Sequence, residues 1–493
     1  MIALTDQQQA VVDSNANQIV VQAYAGSGKT QTLLEYARRR PQKRFLYLVF
    51  NRAMAQSAMR RFPRQVTVTT AHGLAFRAIG NQYKHKLGEW NAPDIASYIA
   101  ENYQGRIGKQ AFSDLNPEVQ ISLAHLVIHA MTTYAKGQVS DLGSIHDPGL
   151  VGIATNFCSR ATVRELGEWL WGRVCDPAES RLPITHDAYL KEFIAHHQHV
   201  IDRYDVVMLD EAQDTNPVIW DLVEKIPAQT KMMVGDRYQN IYDFRGTINV
   251  LDRCPEAEQH YLTKTFRFGK KVAWLANQLL TVFFRETHLI QSDVPEGREL
   301  PDDIPCYIHR TNAGILATVI EHPRHRMRLY GGVDGYRLGD ILDTYSLKRN
   351  RFDRIQNPFL RIFSSFDELK DYAQQYDDRE WQSRVNLVER YQGLIPRAVK
   401  RCREMEKEGM PEIWLSTVHK TKGLEFPKIA MADDFPTLMA KAHGKPKQVG
   451  ETSDGETIPA EEVRLWYVAV TRTLSGIFTN RQLDDFLLFS YHR

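Results

Sequence analysis

The chain has 493 residues, enough at roughly 150 residues per domain for about three or four domains. Its 62 Lys and Arg against 60 Asp and Glu leave a net charge of +2, which excludes a polycationic histone-like binder and an acidic tail protein but allows a local basic groove. Hydrophobic residues at 43% and charged residues at 25% are ordinary globular composition, so the chain can bury several cores.

In chain order, Met1 to Asn17 has neither a basic n-region nor an apolar h-region, so no signal peptide is expected. Ile19 to Ala23 is a short apolar run that reads as a strand. A Gly-rich turn and a helical segment, TLLEYARRR, follow it. Phe45 to Phe50 reads as a second buried strand and Val66 to Thr70 as a third. From about Ala78 to Asp202 the pattern is helical, with Val163, Leu166, Leu170 and Val174 spaced to share one face; Trp169 and Trp171 read as core. Tyr204 to Asp210 reads as a fourth strand, and Lys231 to Val234 begins a fifth. A second strand-rich unit starts near Tyr261, returns at Ile304 to His309, and resumes at Ile413 to Thr417 and Lys428 to Met431. Between them lies a charged, helix-like stretch, with Pro396 splitting its last long run. Ala440 to Pro459 reads as a flexible loop. Strands alternating with helices predict an α/β protein with parallel sheets. The five cysteines, Cys158, Cys175, Cys254, Cys306 and Cys402, form no C-x-x-C pair and read as reduced thiols. No apolar run approaches the roughly 18 residues of a membrane span. A soluble, intracellular, cytoplasmic protein is expected, nucleoid-associated if bacterial.

Two motifs carry chemistry. Ala23 to Thr30, AYAGSGKT, lies between a strand and a helix, the setting of a Walker A phosphate loop. Ala25, Gly26, Ser27 and Gly28 would wrap phosphates with backbone N–H groups, with the helix dipole behind them. Lys29 would contact the β- and γ-phosphates of ATP, and Thr30 would hold Mg²⁺. Ala23 stands where the strict pattern has Gly. Downstream, Val206 to Asp214 reads VVMLDEAQD. Asp210 ends an apolar strand, where its carboxylate can reach the same Mg²⁺, and Glu211 is placed as general base for the attacking water. Both acids could instead cap a following helix; the upstream phosphate loop favours the NTPase reading.

With DEAQD, and with further motifs in order, the chain resembles the UvrD/Rep-like helicases of superfamily 1 over nearly its whole length. LTDQQ resembles the Q motif; FLYLVFNRA, TTAHGLA, VGDRYQNIYDFRG and LTKTFRFG resemble motifs Ia, Ib, III and IV. YIHRTN and YGG resemble two lesser motifs, and STVHKTKGLEFPKI and EEVRLWYVAVTRT resemble motifs V and VI. Tyr24, FNRA, LPITHDAYLK and TFRFG lean toward the F-box DNA helicase group and its bacterial relatives, although no F-box is visible before the Q motif. Gln31 stands where many such proteins carry an Arg, and the segment between YGG and motif V is short.

The resemblance implies two RecA-like parallel-sheet P-loop motor domains, each with a mainly helical insertion. The first motor domain is expected at 1–77 and 203–250, with a helical insertion at 78–202. The second is expected at 251–333 and 408–493, with a reduced insertion at 334–407. By the same likeness Gln8 reads the adenine edge, Phe266 stacks on it, and Glu425 contacts the ribose. Gln239 and Gln213 resemble polar sensors linking phosphate to the DNA site, and Arg267 and Arg472 resemble arginine fingers that stabilise charge on the transferred phosphoryl group. Tyr242 and Phe244, alternating beside Arg245, would form a stacking platform for unpaired bases. Phe50, His72 and His419 resemble further DNA contacts. The implied activity is an ATP- and Mg²⁺-dependent helicase moving 3′ to 5′ on single-stranded DNA, in repair or recombination. Its partners would be single-stranded DNA, 3′-tailed duplex, and recombination or repair proteins. The alternative is a DNA-stimulated ATPase that remodels or senses nucleoprotein within a larger complex with little unwinding.

Overall fold

The computed structural model describes residues 3–143, 159–197, 200–242, 246–298, 300, 303–357, 359–375, 378–438, 441–442, 445–446 and 458–491. By contact the chain divides into two compact units, one of Met1–Ala23 with Gly28–Leu262 and one of Tyr24–Ser27 with Thr263–Arg493.

In the first unit, strands β1 (Gln18–Ala23), β2 (Phe45–Leu48), β3 (Val66–Thr69), β4 (Tyr204–Leu209), β5 (Ala228–Gly235) and β6 (Glu258–Leu262) form one sheet. Their order is β3-β2-β4-β5-β1-β6, and every neighbouring pair is parallel. Parallel strands need crossovers, which cover both faces of the sheet with helices. Successive residues therefore enter opposite cores: Val21, Tyr47, Val206 and Met208 join one buried cluster, and Val20, Leu46, Leu48 and Val207 join the other. That is why FLYL and VVML are apolar throughout instead of alternating.

The helices Ala92–Asn102, Pro117–Ala135, Arg160–Cys175 and His186–His196 occupy the expected helical stretch. Val163, Leu166, Leu170 and Val174 are buried together, and Trp169 and Trp171 pack on Tyr98, Tyr103 and Tyr134 as core aromatics. This stretch shares one continuous buried cluster with β1, β2 and β4.

In the second unit, strands β7 (Cys306–His309), β8 (Met327–Leu329), β9 (Ile413–Thr417), β10 (Phe426–Met431) and β11 (Thr473–Phe478) form a second parallel sheet, ordered β8-β9-β7-β10-β11. The helices Leu338–Lys348, Phe366–Gln375, Arg379–Tyr391 and Ile395–Met405 share a buried cluster with β8 and β9. Pro396 sits in the first turn of the last helix, where its missing N–H costs nothing, and the break itself falls at Gln392, with φ +41°.

One expected boundary moves. The edge at 250/251 falls too early, because β6 completes the first sheet, with Ile19 opposite Glu258. The open edge of β1 needs hydrogen-bond partners, and β6 supplies them. Strands β8 and β11 were not legible as strands. Cys175, Cys254, Cys306 and Cys402 are free thiols, while Cys158 and most of 440–459 lie outside the described residues. Among the described residues no helix is long and apolar enough to cross a membrane.

Candidate active site

β1 leads into the glycine-rich loop, and the helix Lys29–Arg38 starts directly after it. Ala23 remains in the strand, opposite Leu262, which is why this position tolerates a side chain. The helix is capped by Gly28, with φ +81° and no side-chain acceptor, so no carboxylate or hydroxyl of the cap turns inward on its first N–H groups. Gly26 has φ +75°, and a Cβ there would fall 2.5 Å from both Arg267 Cβ and Thr265 Oγ1. Neighbours fix the loop backbone: Thr265 Oγ1 donates to Ala25 O at 2.8 Å, Phe266 N–H to Gly26 O at 2.8 Å, and Ala25 N–H to Tyr467 Oη at 3.3 Å. Ser27 is buried beside them. A fixed loop, an uncapped helix end and a lysine at its first turn are what a polyphosphate requires.

Asp210 and Glu211 follow β4. Glu211 adopts φ +50°, ψ +43°, a left-handed conformation that a non-glycine residue enters only under constraint. Its N–H donates to Asp210 Oδ1 at 2.9 Å, and its Oε1 accepts Lys29 Nζ at 2.8 Å. Burial works against the Lys29 charge, yet Glu211, Asp210 and Asp236 outweigh it and hold the ammonium pKa above the ordinary value. Burial raises the pKa of Asp210, and the Glu211 charge adds to it; Lys29 and Tyr47 pull the other way. Tyr47 O–H donates to Asp210 Oδ2 at 2.5 Å and also hydrogen-bonds Thr30. Oxygens of Thr30, Tyr47 and Asp210 are thus grouped, and hard oxygen donors suit Mg²⁺. Among the described residues no cluster of three His, Cys, Asp or Glu is placed to hold a metal. Mg²⁺ held by one or two protein oxygens, phosphates and water needs no such cage. When bound, it would supply positive charge against the phosphate oxygens.

The acidic pair continues into a buried amide network. Gln213 Nε2 donates to Glu211 Oε2 at 2.6 Å and to Asp214 Oδ2 at 3.2 Å, while its Oε1 accepts Asp236 N–H at 3.0 Å. Asp236, fully buried, accepts Gln239 Nε2 at 2.8 Å, Gln22 Nε2 at 3.2 Å and Tyr238 N–H at 3.1 Å. Lys29, Asp210, Glu211, Gln213 and Gln239 therefore form one connected set. Sequence reasoning missed Tyr47, Gln22 and Asp236. The signals were there: Gln22 interrupts an apolar strand, and Asp236 ends β5 as Asp210 ends β4.

In the second unit, Arg267 reaches Glu425 Oε1 with Nε and Nη2, each at 2.7 Å, and donates from Nη1 to Thr471 O at 3.0 Å. Glu425, expected on a ribose, is here the partner of Arg267. Arg472 is 1% exposed, and its guanidinium donates to Val468 O at 2.9 Å and Thr471 Oγ1 at 3.0 Å. Its charge thus lies against the carbonyl end of the helix Ala460–Val470. The Phe266 ring is 49% exposed, as a stacking group must be. In the first unit, Gln8 closes a capping box at the start of the helix Asp6–Asp13, its Oε1 accepting Thr5 N–H at 3.0 Å.

Of the expected DNA contacts, Phe50 and Tyr242 come together: their rings are parallel within 5°, with centroids 6.5 Å apart. His72 is tied instead to Asp187, Nε2 to Oδ1 at 2.9 Å. Burial would raise the Asp187 pKa, but the His72 hydrogen bond and charge bring it below the usual carboxylate value. His419, half-buried, lies within electrostatic range of Glu462. Phe244 and Arg245 lie outside the described residues.

Residues 177–252 match the family model described as the UvrD/REP helicase N-terminal domain. Over 99% of its length the chain is 30% identical to "F-box DNA helicase 1" of Gallus gallus, covering 50% of that protein. It is 27% identical over 97% of its length to "F-box DNA helicase protein 1" of Schizosaccharomyces pombe, covering 57% of that protein. A short segment, 16% of the chain, is 26% identical to a "Probable DNA helicase II homolog" of Mycoplasma genitalium. The chain thus spans about half the length of the curated relatives that it matches from end to end. Two parallel α/β sheets and a phosphate loop joined to an acidic pair thus accompany a sequence likeness to the UvrD/Rep-like helicases.

Proposed function

We propose that the chain is an ATP-dependent DNA helicase and translocase that moves 3′ to 5′ on single-stranded DNA, in repair or recombination. Residues 78–202 and 334–407 are then helical insertions in the two motor domains. Lys29 and the loop 25–30 hold the ATP phosphates, with Gln8, Phe266 and Glu425 at the nucleoside. Thr30 and Asp210 hold Mg²⁺. Glu211 takes the proton of the attacking water, Gln239 senses the γ-phosphate, and Arg267 and Arg472 stabilise transition-state charge.

The observation that carries the DNA reading is the pair Phe50 and Tyr242. Two parallel aromatic rings with centroids 6.5 Å apart bring together faces of the kind on which unpaired bases stack. Tyr242 follows Gln239 by three residues, which puts a base-stacking group on the same short segment as the phosphate network. His72, His419, Phe244 and Arg245 complete the proposed DNA track, and the partners are single-stranded DNA, 3′-tailed duplex, and recombination or repair proteins. The test is strand displacement with ATP and Mg²⁺ on duplexes tailed at the 3′ or the 5′ end. Unwinding of the 3′-tailed duplex alone is expected. Unwinding only from a 5′ tail would overturn the polarity. DNA-stimulated hydrolysis with no displacement on either would turn the reading to an ATPase that remodels nucleoprotein.

A further inference from the structure

Gln22 lies fully buried in β1 between the apolar run Ile19 to Val21 and Ala23. Its Oε1 accepts both the backbone N–H and the Nε of Arg237, each at 3.2 Å, and its Nε2 donates to Asp236 Oδ1. An ionised carboxylate only accepts, and backbone N–H only donates, so these contacts fix the orientation of the amides. Gln22 and Gln239 must both turn their nitrogens toward Asp236. Gln213 must turn its nitrogen toward Glu211 and Asp214, and its oxygen toward Asp236 N–H.

Asp236 therefore sets two amides of the network that reaches Lys29, Gln239 through its carboxylate and Gln213 through its backbone N–H. Gly235 shows how tight the arrangement is: a Cβ there would lie 2.2 Å from Gln213 Oε1 and 3.1 Å from Ala212 N. Neither Gln22 nor Asp236 needs to touch nucleotide to matter.

We propose that Gln22 and Asp236 are positioning residues for hydrolysis: they lock Gln239 and Gln213, and through Gln213 the catalytic base Glu211, in the orientation that water activation requires. This rests on the ATPase reading above. Asp236→Asn replaces one acceptor by a donor while keeping shape. Either the Gln239 amide must flip, or Gln22 and Tyr238 N–H lose their acceptor. Gln22→Leu removes the clamp on Arg237 and Asp236 while leaving the carboxylate. Gly235→Ala crowds the Gln213 amide and the Ala212 backbone N.

The experiment compares DNA-stimulated ATP turnover of the parent chain and the three variants, with KM for ATP, affinity for a non-hydrolysable ATP analogue and melting temperature measured alongside. A misplaced group costs about 100-fold or less in rate. Asp236→Asn is expected to lower kcat by about 10- to 100-fold, and Gln22→Leu and Gly235→Ala by smaller factors. KM and analogue affinity should stay within about twofold, well under the factor of 10 that 1.4 kcal/mol of lost binding would give. Unchanged kcat in an active parent background overturns the positioning role alone. Parallel losses of kcat, analogue affinity and melting temperature in all three variants also overturn it, in favour of a structural role. A parent chain without DNA-stimulated turnover sinks both this proposal and the ATPase reading.

Discussion

β1 and β7 run inside their parallel sheets, and each passes the chain to a helix, Lys29–Arg38 after the first and Asn312–Glu321 after the second. The two turns treat their helix ends in opposite ways. After β1 the cap is a glycine without a side-chain bond, and a lysine opens the helix. After β7 the cap is Thr311, whose Oγ1 accepts Gly314 N–H, and the Asp434 carboxylate accepts Arg310 N–H at 2.9 Å and Thr311 N–H at 2.8 Å. The second unit fills its anion position with its own carboxylate. Charge follows the same division: Lys29 meets Asp210, Glu211 and Asp236, whereas Glu462 is surrounded by Arg310, Arg379 and His419. One sheet-to-helix geometry is open to a phosphate in the first case and closed by capping in the second, and a few side chains decide which.

The largest expected effect breaks the open turn. Lys29→Ala should abolish ATP turnover. Glu211→Gln should keep nucleotide binding while lowering hydrolysis by about 10²- to 10⁴-fold, the usual worth of a general base. Steady-state turnover beside equilibrium nucleotide binding checks both, and parent-rate hydrolysis by Glu211→Gln would remove it as the base.

The closed side is tested at Glu462, which accepts Arg310 Nη2 at 2.8 Å and Arg379 Nη1 at 3.1 Å. Removing one partner of a buried pair leaves an uncompensated charge, so Glu462→Gln should cost about 3–5 kcal/mol in urea unfolding at pH 7. Burial pushes the Glu462 pKa up, but Arg310 and Arg379 bring it below the ordinary value. Its stabilisation is therefore fully present above the unfolded carboxyl pKa of about 4.3 and is lost as pH falls through the lower folded value. The deficit of the variant should shrink over that acidic window; a deficit independent of pH would contradict the charge argument.

Phe50→Ala and Tyr242→Ala should each cost roughly 1–3 kcal/mol in single-strand affinity, the range for one base stack. Stacking releases no counterions, so the loss should persist at raised salt. Because the two rings are neighbours, the loss in the double variant should differ from the sum of the single losses. A large fall in melting temperature with unchanged DNA affinity would make the rings structural.

Asp434→Ala should cost about 0.5–2 kcal/mol, the range for a lost helix cap. In a Lys29→Ala background, inorganic phosphate should then raise the melting temperature of the Asp434→Ala double variant above its effect on Lys29→Ala alone. Equal responses would mean that Asp434 is not what closes this helix end.

Much of this was legible without coordinates because it is local. The loop Ala23 to Thr30, the acids Asp210 and Glu211 and the buried runs FLYL and VVML all announce themselves by spacing and by continuous apolarity. The helical face of Val163, Leu166, Leu170 and Val174 does so by its period. The edge strand Glu258–Leu262 was misassigned because EQHYL, with only its last residue fully buried, carries little apolar signal. Its place depends on a neighbour, β1, more than 230 residues away.

The site divides along the same line. Backbone conformation and residue type over a short window suffice to mark a candidate phosphate loop and a proposed base. Long-range contact alone brings Tyr47 to Asp210, pairs Phe50 with Tyr242 and couples His72 to Asp187. Gln22, Gln213 and Asp236 are ordinary polar letters until three separate strand ends converge and leave each amide only one orientation that satisfies its buried partners.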